Sequence, residues 1–275
     1  MFEIFEGVLF YPLPLRVVIL REILKRLSIV RYKKRLQYGA VPRTHYGYCI
    51  YNAAQLAKKL GYKNISIIEF GVAEGNGLLD IEYHVEEIKK EIDLGIEVYG
   101  FDRESGLPKP LDYRDLPYHW KEGFFRMDKE KLQEKLNFSK LVIGDVKETC
   151  TSFFASYKPA PIGCVFFDLD YYSSTVDAFK IFDADAGNYM PRVFCYFDDV
   201  LGNETELYNE FTGELLAIQN FNIKNPHKKI AKAKYFVTPR SIPAPWHHQI
   251  FIFHDFLHPA YKEFVSEEDQ QSLSG

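Results

Sequence analysis

Short apolar segments alternate with helical patterns along most of this chain, and this alternation limits the fold more than any other feature. Five segments rich in Val, Ile and Phe have the length and composition of strands buried on both faces, namely residues 65–70, 96–101, 141–144, 164–167 and 193–197. Helical patterns lie between them, and another, at residues 46–60, precedes the first. The sequence therefore predicts an α/β fold, a doubly wound and mostly parallel sheet with helices on both faces.

The end of the chain departs from this alternation. Two further strand candidates, residues 234–237 and 249–253, are separated by a short stretch that contains Ser241-Ile-Pro-Ala-Pro. Such a separation suits a hairpin better than a right-handed helical crossover. We therefore expect seven strands that end in an antiparallel pair, whereas a sheet that binds nicotinamide dinucleotides continues with parallel crossovers.

Three regions are expected along the 275 residues: an aromatic and basic helical segment at 1–40, one large domain at 41–260, and a flexible acidic tail at 261–275. Residues 15–36 are predicted to form one helix, packed on the domain through Val17, Leu20, Leu24 and Leu27. This helix carries the only basic run of the chain. A role at a membrane surface or on an anionic substrate is the alternative to simple solvation.

Composition excludes several classes of protein. A net charge of -4 argues against a nucleic-acid partner, which usually binds a strongly basic face. No segment has the apolar length of a transmembrane helix, and the first residues lack a secretory cleavage pattern, so a cytoplasmic location is expected. The four cysteines lack metal-site spacing and are predicted to be buried reduced thiols. The oligomeric state stays open, a homo-oligomer included.

A glycine-rich loop follows the first predicted strand. Its sequence is Glu69-Phe-Gly71-Val72-Ala-Glu74-Gly75-Asn-Gly77, which allows a tight turn and a close approach of a ligand to the backbone. The glycines follow G-x-x-x-G-x-G and not the G-x-G-x-x-G of dinucleotide-binding folds. A nicotinamide dinucleotide is therefore disfavoured, and taken alone the loop is either a cofactor loop or a simple strand-to-helix turn.

Acidic residues follow the next predicted strands, at the sheet edge where ligands bind in such folds. Asp102 ends the second strand, where a carboxylate can accept hydrogen bonds from both hydroxyls of a ribose, and Asp145 ends the third, where it can meet an adenine edge. Taken singly, each is as well explained as a helix cap or turn residue.

Four more acids follow the fourth and fifth strands: Asp168, Asp170, Asp198 and Asp199. Carboxylates gathered in one place repel each other unless protons or a cation neutralise them. Oxygen ligands without neighbouring His or Cys suit Mg²⁺, or Mn²⁺, better than zinc. The alternative is a set of helix caps that face solvent.

These motifs resemble the macrocin O-methyltransferase (TylF) family of class I S-adenosylmethionine-dependent methyltransferases, over roughly residues 46–202. Besides the glycine-rich loop, the resemblance rests on Gly100-Phe-Asp102-Arg-Glu-Ser-Gly106-Leu-Pro108, Gly144-Asp145-Val-Lys-Glu-Thr149, Asp168-Leu-Asp170-Tyr-Tyr172-Ser-Ser-Thr175 and Asp198-Asp199. It implies a Rossmann-like class I methyltransferase fold and methylation of a sugar hydroxyl.

The resemblance also implies roles for single residues. Asp168, Asp198 and Asp199 would bind Mg²⁺, with Asp170 as the close alternative to Asp168. The loop at residues 69–77 would receive the methionine part of the cofactor, and Asp102 its ribose. The full set of expected cofactor contacts is Glu69, Gly71, Val72, Glu74, Gly75, Gly77, Asp102, Arg103, Asp145, Val146 and Asp168.

The expected activity is therefore transfer of a methyl group from S-adenosylmethionine to a hydroxyl of a small-molecule or saccharide acceptor. A Mg²⁺ ion that coordinates this hydroxyl lowers its pKa. Besides Asp168, side chains that could assist deprotonation are His119, Tyr171, Tyr172, His247 and His248. Two alternatives remain: a metal-independent methyltransferase acting on nitrogen or carboxylate, and a non-catalytic cofactor-binding subunit.

Overall fold

The computed structural model describes residues 15–27, 29–234 and 244–266, and a seven-stranded sheet organises them. The strands are β1 (Asn64–Phe70), β2 (Gly95–Asp102), β3 (Lys140–Ile143), β4 (Ile162–Phe167), β5 (Tyr189–Phe197), β6 (Lys228–Lys232) and β7 (Ile250–Asp255). Their order across the sheet is β3-β2-β1-β4-β5-β7-β6.

Strands β1 to β5 run parallel, and β7 lies antiparallel between β5 and β6. All six residues of the central strand β4 are buried, as its unbroken apolar sequence requires of a strand covered on both faces. The predicted α/β fold, with its parallel sheet and antiparallel end pair, is confirmed.

The sixth strand of the described sheet lies before the position predicted for it. Strand β6 occupies Lys228–Lys232, Lys234 lies outside any strand, and residues 235–243 lie outside the described part of the chain. The edge position explains the error. Of the five residues of β6 only Ile230 is buried, and an edge strand rich in lysine lacks the apolar signal of a central strand.

Helices cover both faces of the sheet. They are α1 (Leu15–Arg26), α2 (Tyr32–Gln37), α3 (Thr44–Lys59), α4 (Asn76–Lys89), α5 (Lys129–Gln133), α6 (Val146–Tyr157), α7 (Tyr172–Ala178) and α8 (Gly213–Lys224). Helix α3 contacts α4 together with β1, β4 and β5, whereas α7 contacts both α6 and α8. These two groups form the outer layers of a three-layer sandwich.

Aromatic rings fill the core between the sheet and its helices. Phe167 and Phe197, on neighbouring parallel strands, stack with ring centroids 4.5 Å apart and an interplanar angle of 6°. Phe182 and Phe253 stack at 4.0 Å. All four cysteines are free and buried, as predicted. Among the described residues no helix is long and apolar enough to cross a membrane.

The predicted single helix at residues 15–36 is two helices, α1 and α2. They are separated at Arg31, which has the extended ψ of 140°. Helix α2 is held on α4 by the Tyr32 hydroxyl, which lies 2.8 Å from His84 Nδ1, and by a salt bridge from Arg35 to Glu87. Packing of α1 also differs from the prediction: Leu24 is buried and Val17 is half-buried, but Leu20 and Leu27 are exposed.

The first two residues of the predicted tail, Tyr261 and Lys262, belong to a short helix. Residues Pro259–Lys262 form a 3₁₀-helix, and the Tyr261 hydroxyl lies 2.9 Å from His254 Nδ1 on β7. The guanidinium of Arg192 lies over the Tyr261 ring. These contacts order the first residues assigned to the tail, and residues 267–275 lie outside the described part of the chain.

Candidate active site

A cavity of about 460 Å³ opens at the carboxyl ends of the parallel strands. Backbone hydrogen bonds extend the sheet just past these ends, from Asp168 to the Phe70 carbonyl and from Asp198 to the Phe167 carbonyl. The residues after each strand are therefore held side by side at one edge. Five of the lining residues follow or end different strands: Gly71, Asp102, Gly144, Asp168 and Asp198. This is the position at which open parallel sheets bind ligands.

A second cavity adjoins the first. Gly71, Ala73, Phe125 and Asp168 line both cavities. The second cavity is further lined by Glu69, Val72, Glu74, Asn76 and Gly77 of the glycine-rich loop, and by Arg43, Tyr46 and Arg126; the predicted contact residue Gly75 is not part of this lining. Asp168 thus lies at the junction of the two.

The glycine-rich loop passes very close to its neighbours. A Cβ atom on Gly71, where φ is +84°, would lie 1.8 Å from the carbonyl oxygen of Asp168, and one on Gly77 would lie 1.9 Å from Glu69 Oε1. Real Cβ atoms do not approach other atoms so closely, and L side chains disfavour this φ. Gly71 and Gly77 are therefore required by close contacts with residues at the ends of β4 and β1, whereas a Cβ on Gly75 would meet the side chain of Leu132.

Asp102 fixes the conformation of this loop. Its Oδ2 accepts hydrogen bonds from the backbone N–H groups of Val72 and Ala73, at 3.0 and 2.9 Å, and its Oδ1 accepts one from Glu104. A carboxylate has about four acceptor positions, so one remains for a ligand in the cavity that Asp102 lines. Its predicted contact with a ribose stays a prediction, beside this structural role.

Glu69 is buried at the second cavity with one oxygen unpaired. The Tyr46 hydroxyl donates to Glu69 Oε1 at 2.9 Å, whereas Oε2 has no partner among the described residues. Burial raises the pKa of Glu69 to about 8, against the opposing effects of the Tyr46 hydrogen bond and of Arg43. An unpaired buried carboxylate oxygen beside a cavity is suited to a cationic ligand group.

Arg43 supplies positive charge to the same cavity. Its backbone has φ of +30°, its Nε lies 3.3 Å from Asp80 Oδ2, and its guanidinium lies over the Tyr46 ring. Burial lowers the pKa of Arg43, but Tyr46, Glu69, Asp80 and Asp168 outweigh it and the net shift is upward. Arg126 is a second guanidinium at this cavity.

In the first cavity, which we call the main cavity, Asp145 is a lining residue and also caps helix α6. Its Oδ1 accepts a hydrogen bond from the backbone of Lys147 at 3.0 Å, and it lines the cavity together with Gly144 and Val146. Asp145 can therefore cap α6 and also accept a hydrogen bond from a ligand, because a carboxylate has further acceptor positions.

Three of the four predicted metal-binding acids come together. Asp168, Asp198 and Asp199 each offer one carboxylate oxygen, and these oxygens all lie within 4.8 Å of one another. Burial, and then the charges of Asp199 and Asp198, raise the pKa of Asp168. Such an all-oxygen donor set fits a hard divalent cation. Asp170 is not part of this group: it has φ of +59°, and its N–H donates to Asp199 Oδ2 at 2.8 Å.

Uncharged groups orient these carboxylates, and the sequence patterns did not reveal them. The Tyr196 hydroxyl donates to Asp198 Oδ1 at 2.6 Å, and the Tyr208 hydroxyl donates to Asp199 Oδ1 at 2.8 Å. Tyr196 could have been recognised, because it stands two residues before Asp198 on the same face of β5.

Glu214 is a further buried acid beside Asp199. Its Oε2 accepts a hydrogen bond from the backbone of Asp199 at 3.0 Å, and its Oε1 has no partner among the described residues. It was missed because an acid in the first turn of a helix, here α8, is an ordinary helix-stabilising feature.

The proposed side-chain bases do not line either cavity. The Tyr172 hydroxyl accepts a hydrogen bond from Asn220, and its ring packs under Arg114. His119 Nε2 lies 3.9 Å from Glu206 Oε1, beside Trp120, which does line the main cavity. Tyr171 is fully buried, and His247 and His248 also lie away from both linings.

No family model and no curated protein sequence matches this chain. Among solved structures, that of the calicheamicin methyltransferase CalS11 has a TM-score of 0.52 at 18% sequence identity, over 92% of this chain and 90% of that chain. The O-methyltransferase NovP also has a TM-score of 0.52, at 12% identity, over 77% of this chain and 79% of that chain. At these identities the likeness establishes the fold, which is the Rossmann-like class I methyltransferase fold.

Proposed function

We propose that this protein is an S-adenosylmethionine-dependent O-methyltransferase that uses Mg²⁺ (or Mn²⁺) and methylates a hydroxyl of a sugar or of a glycosylated precursor. One observation carries the proposal. Asp168 belongs to the three-carboxylate group and also lines both cavities, so it joins the glycine-rich loop to the candidate metal site. Cofactor and acceptor would meet at this residue.

The second cavity offers complementary groups to the amino-acid end of the cofactor. The unpaired Oε2 of buried Glu69 is an acceptor for an ammonium group, and the guanidinium of Arg43 or Arg126 is a donor for a carboxylate. In the main cavity, the free acceptor position of Asp102 suits a ribose hydroxyl, and Asp145 suits an adenine amino group.

The donor set of Asp168, Asp198 and Asp199 fits the proposed cation. A divalent cation bound there would lower the pKa of a coordinated hydroxyl and orient it. The chain's own contribution is to hold the carboxylates in place. Tyr208 and Tyr196 each direct one oxygen of a carboxylate, and hydrogen bonds of this kind from outside the ligand set typically sustain metal affinity.

Methyl transfer forms an O–C bond and breaks the C–S bond of the sulfonium, and a proton must leave the acceptor hydroxyl. The two cavities would position the cofactor and the acceptor for this reaction. Such positioning can lower the activation barrier by roughly 7 kcal/mol or more when the reacting atoms are ideally aligned. Asp168 lines both cavities, so its carboxylate is our candidate acceptor of that proton.

Apolar side chains and a free donor favour an acceptor with a ring. Leu111, Trp120, Phe125 and Leu201 line the main cavity. The Trp120 Nε1–H is buried and has no partner among the described residues. An aromatic face packs against the apolar face of a sugar, and its N–H can donate to a ring substituent.

The test is incubation of the purified chain with methyl-labelled S-adenosylmethionine, Mg²⁺ and a panel of free, nucleotide-linked and lipid-linked sugars. Label transfer to a hydroxyl, abolished by a chelator and restored by added Mg²⁺, would support the proposal. Transfer that persists in chelator would indicate the metal-independent alternative. Cofactor binding without transfer to any acceptor tested would favour the non-catalytic subunit.

A further inference from the structure

Helix α1 presents an apolar face to solvent. Leu15, Ile19, Ile23 and Leu27 are 60%, 51%, 48% and 43% exposed, and Leu24 is the only residue of the helix that is buried. A spacing of four residues places these exposed side chains along one side of the helix. Leu24 already packs the helix against the protein, so this exposed apolar face is not needed for that purpose.

Positive charge surrounds this face. Residues 15–37 contain one acid, Glu22, and eight basic residues, namely Arg16, Arg21, Lys25, Arg26, Arg31, Lys33, Lys34 and Arg35. Since the whole chain has a net charge of -4, the rest of it is strongly acidic. Lys25 pairs with Glu22 and Arg35 pairs with Glu87, while Arg16, Arg26, Arg31 and Lys33 form no salt bridge within the described part of the chain. This end of the molecule is therefore a local positive pole.

We propose that α1 binds the surface of an anionic membrane, with its exposed apolar face at the level of the lipid headgroups. A helix that combines an apolar face with basic residues lies in the plane of the interface, held by apolar burial and by attraction to anionic lipid. The twelve residues of α1 are too short to cross a bilayer, in agreement with the absence of any spanning helix among the described residues.

Charge favours a membrane over a second copy of the chain. A two-fold dimer through this face would bring the same basic residues of both copies together, and like charges that face each other disfavour association. An anionic lipid surface supplies the opposite charge instead. This surface is separate from both cavities, since no residue of α1 lines either of them.

The experiment is sedimentation of the purified 275-residue chain with vesicles of phosphatidylcholine alone or with added phosphatidylglycerol. The test variant is Ile19→Glu with Ile23→Glu. Its matched control is Ile223→Glu with Leu257→Glu, which changes two apolar side chains that are 82% and 69% exposed elsewhere. A third variant, Arg16→Gln with Arg26→Gln, removes charge alone. Thermal melting checks that each variant is folded.

We expect binding to the anionic vesicles only, weakened by salt, about tenfold weaker or more in the Ile19/Ile23 and Arg16/Arg26 variants, and unchanged in the control. Failure of the parent chain to bind anionic vesicles would overturn the proposal, as would equal binding by the Ile19/Ile23 variant. A concentration-dependent dimer that this variant dissolves would identify the face as an interface between copies and would also overturn it. None of these results depends on methyl transfer.

Discussion

The contact between Gly71 and the Asp168 backbone is the tightest point of the site, and substitution of this glycine probes it directly. In Gly71→Ala the new methyl group would lie 1.8 Å from a carbonyl oxygen, an atom that cannot rotate away. Two separate costs arise. A Cβ at φ of +84° costs about 1 kcal/mol, and overpacking against backbone costs about 1–3 kcal/mol more. The expected loss in unfolding free energy is therefore about 2–4 kcal/mol.

Two other glycines separate these costs. Gly61 has φ of +80° but nothing within 4 Å of an added Cβ, so Gly61→Ala should lose only the conformational term of about 1 kcal/mol. Gly187 has neither a positive φ nor a close neighbour, so Gly187→Ala should change stability by less than about 0.5 kcal/mol. Denaturant unfolding of the three variants against the parent chain measures these differences.

Cofactor binding provides a second readout. Relief of the clash in Gly71→Ala must move the loop or the end of β4, and both line the two cavities. Affinity for S-adenosylhomocysteine should then fall at least about tenfold, and it should be unchanged in Gly61→Ala and Gly187→Ala. If Gly71→Ala matched Gly61→Ala in both stability and affinity, the argument from close approach would be refuted.

Three further predictions concern single side chains. Glu69→Gln keeps an acceptor for the Tyr46 hydroxyl but cannot ionise opposite an ammonium group, so calorimetry should show about tenfold weaker binding of S-adenosylhomocysteine; unchanged affinity would count against the ammonium contact. Tyr208→Phe leaves Asp199 Oδ1 without its donor, and Mg²⁺ affinity should fall about 10–100-fold while binding of S-adenosylhomocysteine without metal is kept. Burial lowers the pKa of His84 from 6.5 to about 4, so between these values the unfolded chain binds a proton that the folded chain does not. The contribution of His84 to the unfolding free energy should therefore fall as the pH drops from 6.5 to 4, by roughly 3 kcal/mol. In denaturant titrations the difference in unfolding free energy between the parent chain and His84→Gln should shrink by this amount over the same range.

The central strands and the acids at their ends were predictable because one physical constraint sets both. Strands covered on two faces are continuous apolar runs, and the parallel arrangement brings their carboxyl ends to one edge. Asp168 and Asp198 accordingly meet there, 30 residues apart in sequence. Strand β6 was misplaced because an edge strand needs few apolar residues and carries lysines instead.

Side chains that reach the site from distant segments left no local signal. Arg43 and Tyr46 stand before β1, in a pattern that reads only as the start of a helix, yet they contact the second cavity. Tyr172 is the reverse case, a residue with a clear sequence signal that does not line the cavity. It lies within the most specific motif of the chain, but its hydroxyl is bonded to Asn220 on α8 rather than directed to the cavity lining. Which residue of a motif faces a ligand depends on such long-range contacts.

Calorimetric titration with S-adenosylhomocysteine, with and without Mg²⁺, tests the proposed methyltransferase function most directly. The titration compares the parent chain with the variant carrying Asp198→Ala and Asp199→Ala. We expect both proteins to bind S-adenosylhomocysteine and only the parent chain to bind Mg²⁺, because the glycine-rich loop and the carboxylate group are separate parts of one site. Absence of S-adenosylhomocysteine binding by the folded parent chain, at any Mg²⁺ concentration, would contradict the assignment as a methyltransferase.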